Sequence, residues 1–309
     1  MKRSLPTPGR RRRLHLMVLL LGFVTVLVVM AAWWVLRVPP RLSAREAVAR
    51  PASAHGPHHV AAATTDPDPG LRPLLATVAS PLRVLEIGDS LGIDLGDQLR
   101  AQLDAAGSAR TVVASVGDSG LSNLSYYDWP AHLATLLAAD HPQLVVVFVG
   151  ANDDQGLYVD GAAAAPGSPT WVAAYAGRVD DVVRESTSAG ARVVWVGMPP
   201  MASPDLNAAV GLENGIYRRE TAAHAGTLFV SAIAVLGDAS GRYEITGVDA
   251  SGQVAALRTS DGVHLTPAGA GLLARSVIAS VDGRWHLSLG APVGPRPNAP
   301  GSGDDPVHG

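Results

Sequence analysis

The chain has 309 residues, 47% hydrophobic and 17% charged, enough for one substantial domain with tails. It contains no cysteine, which excludes disulfides, thiolate metal sites and a cysteine nucleophile. The formal charge of −3 hides an asymmetry: residues 1–50 hold ten of the 24 basic residues and one acid, so the remainder carries 14 bases against 26 acids, an acidic body unsuited to nucleic-acid phosphates.

Arg10–Arg13 form a basic block, and Leu14–Leu36 follow as 23 residues with no acid or base except His15. At ~1.5 Å per residue a helix of this length crosses the ~30 Å hydrocarbon core of a membrane. Trp33 and Trp34 stand near its far end, where indoles prefer the interface. The sequence therefore predicts a cytoplasmic segment 1–13, a single-pass anchor 14–36 and a body outside the cytoplasm. A cleaved signal peptide is the alternative, but its apolar region would be ~7–15 residues long and end at a small-residue site. Residues 37–80, rich in Pro, Ala, Arg and His without periodicity, are expected to form a flexible linker. His55, His58 and His59 within it lack flanking ligands at a metal-binding spacing.

A domain is expected over 81–287. Short Val-rich runs at Leu82–Ile87, Thr111–Val116, Leu144–Val149, Val193–Val196 and Leu228–Ile233 predict strands buried on both faces. Amphipathic stretches at 92–106, 129–139, 170–188, 206–225 and 267–280 alternate with them. That alternation implies a parallel sheet of about five strands between helices, an α/β fold. Asp128 before Trp129-Pro130 and Thr266 before Pro267 have the chemistry of helix N-caps. The glycine-broken stretch 237–258 predicts a hairpin or loop excursion. The tail 288–309, rich in Pro and Gly, is expected to be disordered.

Ligands of an open parallel sheet sit at the carboxyl ends of its strands. Those ends carry Gly88-Asp89-Ser90-Leu91-Gly92, Gly117-Asp118-Ser119-Gly120 and Gly150-Ala151-Asn152-Asp153, and a late loop carries Asp261-Gly262-Val263-His264. This is the inventory of acyl transfer. A serine hydroxyl needs a base, which His264 can be, and the base needs an orienting acceptor, which Asp261 can be. An oxyanion needs donors: the N–H groups of Ser90 and of a loop glycine, with the Asn152 amide.

These four blocks, in this order and at these strand ends, resemble the blocks of the SGNH/GDSL hydrolase superfamily over about residues 80–285. Gly120-Leu121, Asp128-Trp129-Pro130, Trp195 to Pro200 and Leu257-Arg258 are similar to an uncharacterised bacterial, membrane-anchored branch of it. The resemblance implies a flavodoxin-like three-layer α/β/α fold and an esterase or O-acyltransferase. It implies catalytic Ser90, Asp261 and His264, with Ser90, Gly120 and Asn152 at the oxyanion hole. Gly117 is the alternative to Gly120, since it fits the wider superfamily.

Gly88-x-Ser90-x-Gly92 also satisfies the nucleophile elbow of α/β-hydrolases, but that elbow follows a mid-sheet strand, not the first. Asp89 and Asp153 are expected to fix loops. His132, His141, His224 and His286 are expected at the surface or satisfied. Trp129, Trp171 and Tyr175 could line a cleft or pack helix on sheet. Asp154 beside Asp153 lacks a ligand cluster, so neither metal nor cofactor is expected, and no phosphate loop is present. The functional expectation is hydrolysis of an O-acylated, acetylated-glycan-type ester at the cell envelope, outside the cytoplasm. Transfer of an acetyl group to an envelope polysaccharide, or a silent glycan-binding module, are the alternatives.

Overall fold

The computed structural model describes residues 73–289 together with Asp68 and Leu71. The expected anchor 14–36, and most of the linker and tail, lie outside the described residues. Among the described residues no helix is long and apolar enough to cross a membrane.

The order of elements is β1 (Leu82–Gly88), α1 (Ser90–Ala106), β2 (Ala109–Val113), α2 (Trp129–Asp140), β3 (Leu144–Phe148), β4 (Leu157–Val159), β5 (Ala162–Ala164) and α3 (Pro169–Ser188). It continues through β6 (Arg192–Gly197), α4 (Pro204–Ala222), β7 (Thr227–Ser231), α5 (Ile233–Leu236), β8 (Thr246–Val248), β9 (Val254–Ala256) and α6 (Pro267–Trp285). Five strands form one parallel sheet in the order β2-β1-β3-β6-β7. Every residue of β3 and β6 is buried, so helices must cover both faces, as the continuous apolar runs require. α1 packs with α6, and α3 packs with α2 and α4.

Local chemistry sets the boundaries. Ser168, Ser203 and Thr266 cap α3, α4 and α6, each with proline next. Their side-chain oxygens satisfy N–H groups that the first turn leaves free. The predicted run Leu228–Ile233 is cut at Ser231, because Ala232 already has helical dihedrals and Ile233 opens α5. The excursion 237–258 contains the β8-β9 hairpin. A second hairpin, β4-β5, follows β3 and was not anticipated; its strands have three residues each, too short to show a period. Trp129, Trp171 and Tyr175 are all buried packing residues. Asp68 is buried against the domain and accepts from Arg284 and from the Trp285 indole on α6.

A buried carboxyl group sits in the sheet itself. Glu86 of β1 is fully buried and accepts only the Ser115 hydroxyl, at 2.8 and 2.9 Å to its two oxygens. Gly96 of α1 makes the room: a Cβ there would lie 2.7 Å from Glu86 Oε2. Burial pushes the Glu86 carboxyl well above the usual range, against the Ser115 hydrogen bond. The folded chain thus keeps a proton that the unfolded chain releases near its ordinary pKa of ~4.3. Above that pH folding takes up a proton, so this group makes stability fall as pH rises. Glu86→Gln holds no such proton. In urea denaturation its stability relative to the parent should therefore improve as the pH is raised from 4.5 to 7.5. An equal difference at the two pH values would contradict a protonated Glu86.

Candidate active site

Ser90 is the first residue of α1, with Asp89 as its N-cap. The N–H of Ser90 thus lies at the start of a 17-residue helix, where free N–H groups and the helix dipole favour negative charge. Asp89 is fully buried. Its Oδ1 accepts Leu91 N–H at 2.9 Å, and its Oδ2 accepts Gly150 N–H at 2.9 Å and Ala151 N–H at 2.8 Å. Burial raises this carboxyl to about 6, while the three N–H groups hold it back.

His264 reaches Ser90 from the loop ahead of α6. Its Nε2 is 2.8 Å from Ser90 Oγ and its Nδ1 is 2.8 Å from Asp261 Oδ2. With Nδ1 facing a carboxylate, Nε2 is left to accept the hydroxyl proton. Asp261 Oδ1 accepts from Thr259 Oγ1 at 2.6 Å, Val263 N–H at 2.8 Å and His264 N–H at 3.0 Å. The Thr259 hydroxyl, then Val263 N–H and His264, hold the Asp261 carboxyl far below the usual range. The side chains of His264 and Asp261 are 40% and 49% exposed, so the reacting groups are open to large substrates.

Two groups that the sequence did not single out hold this loop in place. Asp94, one turn after Ser90 on α1, accepts Leu265 N–H at 3.0 Å, tying the helix of the nucleophile to the loop of the base. Its position four residues from Ser90 was the available signal. Arg258, quoted above only as part of a block, is buried and donates to Pro200 O and Val263 O, both at 2.6 Å. It thereby joins the loop after β6 to the His264 loop.

The second and third blocks meet beside the first. Asn152 Nδ2 donates to Ser119 O at 2.9 Å, which fixes the amide and leaves its second hydrogen for another acceptor. Buried Asp153 accepts Leu121 N–H, Ser122 N–H, Ser122 Oγ–H and the Tyr175 hydroxyl at 2.7–3.0 Å. Asp89 and Asp153 are thus loop-fixing acceptors. A Cβ on Gly120 would collide with Asp153 Oδ1, whereas one on Gly117 would meet nothing within 4 Å. His132 stacks on Tyr127, and His224 bonds to Asp180. His141 and His286 end α2 and α6.

A family described as Protein of unknown function (DUF459) matches residues 83–280. The chain belongs to this family. No curated protein matches the chain. Among solved structures it is similar to LAE5, an α/β hydrolase from the metagenome of Lake Arreo, at 18% identity over 67% of this chain and 99% of that one, with a TM-score of 0.49. It is similar to TesA at 21% identity over 65% and 99%, with a TM-score of 0.46. A catalytic variant of Axe2, an acetylxylan esterase from Geobacillus stearothermophilus, gives 16% identity over 65% and 94%, with a TM-score of 0.46.

The packing separates the two glycines of the second block. Gly120→Ala must push the block against Asp153 and should lower ester turnover by about 10²-fold, the scale of one misplaced oxyanion donor. Gly117→Ala should remain within about twofold of the parent, as surface changes generally do. Kinetics with p-nitrophenyl acetate check both, and equal losses would remove the distinction.

Proposed function

We propose that this chain is a serine acyl-ester hydrolase acting outside the cytoplasm on O-acylated, chiefly acetylated, envelope glycans. The observation that carries the chemistry is the unbroken relay from Ser90 Oγ through His264 to Asp261, with both links at 2.8 Å.

In the first step Ser90 Oγ attacks the ester carbonyl carbon as His264 Nε2 takes the hydroxyl proton. Asp261 keeps the ring oriented and stabilises the imidazolium. The oxyanion is received by the N–H groups of Ser90 and Gly120 and by the free hydrogen of the Asn152 amide. The carbon–oxygen bond to the alcohol then breaks, and His264 returns the proton to the departing oxygen. Water, deprotonated by the same imidazole, attacks the acyl-enzyme and releases the acid and Ser90. The exposure of His264 supports water as acceptor and a polymer as substrate. A sugar hydroxyl arriving in place of water would make the reaction an acetyl transfer.

The envelope setting rests on the N-terminal sequence. A basic block, a 23-residue apolar run and interfacial tryptophans favour a cytoplasmic N-terminus, a spanning helix 14–36 and a domain on the far side.

Ser90→Ala should abolish both fluorophosphonate labelling and turnover of p-nitrophenyl acetate. Asn152→Ala should cost about 10²–10³-fold in kcat with KM little changed, because its amide acts on the transition state. Labelling at a residue other than Ser90, with full activity in Ser90→Ala, would refute the acyl-enzyme. Acetate release from acetylated envelope glycan, measured with and without a deacetylated acceptor, decides between hydrolysis and transfer.

A further inference from the structure

The loops that carry Gly120 and Asn152 run on into the wall of one cavity of about 370 Å³. Its polar wall consists of Ser122, Asn123 and Ser125 from the loop after β2, Gln155 and Tyr158 from the chain after β3, and Arg178 of α3. No Asp, Glu, Lys or His lines it. Both entrances to the wall are tied to the site. Ser122 N–H and Oγ–H each reach Asp153 Oδ1 at 2.7 Å, and Gln155 Nε2 donates to Asn152 O at 2.6 Å.

What this wall offers a ligand is what its own hydrogen bonds leave over. The Ser122 hydroxyl proton is spent on Asp153 and the Ser125 hydroxyl proton on Asn123 Oδ1. Asn123 Oδ1 also accepts Tyr126 N–H, while among the described residues Asn123 Nδ2 has no partner. Arg178 donates through Nη1 alone, to Leu121 O and to Ser122 O at 2.9 Å. Among the described residues its Nε and Nη2 have no hydrogen-bond partner. Burial holds the guanidinium below its usual range, against the pull of Asp153, whose carboxylate already has four donors. The groups left over are therefore mostly N–H donors, and the remaining acceptors, Gln155 Oε1 and the hydroxyl oxygens, are neutral.

Nε and Nη2 form one edge of the guanidinium, with parallel N–H groups that match the two oxygens of a carboxylate. Tyr158 adds a carbon surface. It is 75% exposed, and its cross-strand partner on the hairpin, Ala163, is too small to cover it. A cavity of this size with one open aromatic ring and a few placed donors has the form of a small-ligand site. We propose that it binds a carboxylate-bearing sugar residue, the acid group on the free edge of Arg178 with Asn123 Nδ2, and the ring face on Tyr158.

The wall begins two residues beyond Gly120 and three beyond Asn152. A sugar held there selects acidic glycans as the esters presented to Ser90. That role in substrate choice rests on the acyl-ester reading; binding itself does not.

Calorimetric titration of the full chain tests the proposal, with glucuronate and galacturonate trisaccharides as acidic probes and the glucose and galactose trisaccharides as neutral ones. At least one acidic probe should bind about tenfold or more tighter than its neutral counterpart. Tyr158→Ala, on an exposed hairpin, should weaken acidic binding about tenfold, and Tyr158→Phe should keep it. Arg178→Gln should abolish the preference for acid, with its urea midpoint compared with the parent's because Arg178 also holds two loop carbonyls. Ser90→Ala should bind as the parent does. Acid preference in a chain that fluorophosphonate does not label would leave this proposal standing and remove the acyl-ester reading. Equal affinity for acidic and neutral probes, or acidic binding indifferent to both Tyr158→Ala and Arg178→Gln, would overturn the proposal.

Discussion

The structure depends on one buried carboxylate, that of Asp89. It ends β1, caps α1 through Leu91 N–H and receives Gly150 and Ala151 N–H from the end of β3. Three backbone donors converge on it, so moving it breaks a helix start and a strand-to-strand link together. Ser90 follows it and Asn152 stands two residues beyond Gly150. The spacing of Ser90 and Asn152 is therefore set by backbone hydrogen bonds to a side chain with no exposed surface. Preorganisation of this kind is what lets donors act on a transition state without rearranging.

The same division recurs around the site. The reacting side chains of Asp261 and His264 are near the surface, while the groups that hold their loops are buried. Asp153 gathers the second block onto the third. Arg258, 1% exposed, joins two loops through their carbonyls. A buried guanidinium is tolerated because those carbonyls replace its water. Asp94 completes the frame by joining the helix of Ser90 to the backbone beyond His264.

Much of this was legible in the sequence, for physical reasons. Strands buried on both faces must be apolar throughout, so all five runs of the central sheet stood out, and the helices between them were located within a few residues. Gly88 to Ser90 and Asn152 fell at strand ends, which is where topology puts a site, and Asp261 to His264 fell in the loop before the last helix. The illegible parts were those without local periodicity or those depending on partners far along the chain. The β4-β5 hairpin is too short to show alternation. Ile233 was assigned to a strand by its apolar side chain, although the backbone had already turned helical at Ala232. Trp171 and Tyr175 had the composition of a cleft, and only the fold shows Tyr175 spending its hydroxyl on Asp153, 22 residues away. Glu86 in a Val-rich strand and Glu213 in an amphipathic helix look, in sequence, like ordinary polar positions.

Four acids are fully buried around the catalytic strands, and their donor supply tells them apart. Asp89 accepts three backbone N–H groups and Asp153 four donors in all. Glu86 has only one hydroxyl, and Glu213 has less. Burial accordingly raises Glu86 and Glu213 well above the carboxylate range, while the donors of Asp89 hold it to about 6. This distribution bears on the proposed acyl transfer, in which an oxyanion would form beside the Asp89 and Asp153 loops. A negative field there would oppose it. The scaffold surrounds those two acids with N–H and O–H groups, and Ser90 stands at a helix start. Burial disfavours the charged form of the two glutamates behind those loops. Charge is thus disfavoured where the protein supplies few donors, while at Asp89 and Asp153 the backbone hydrogen bonds that compensate the carboxyl also fix the loops.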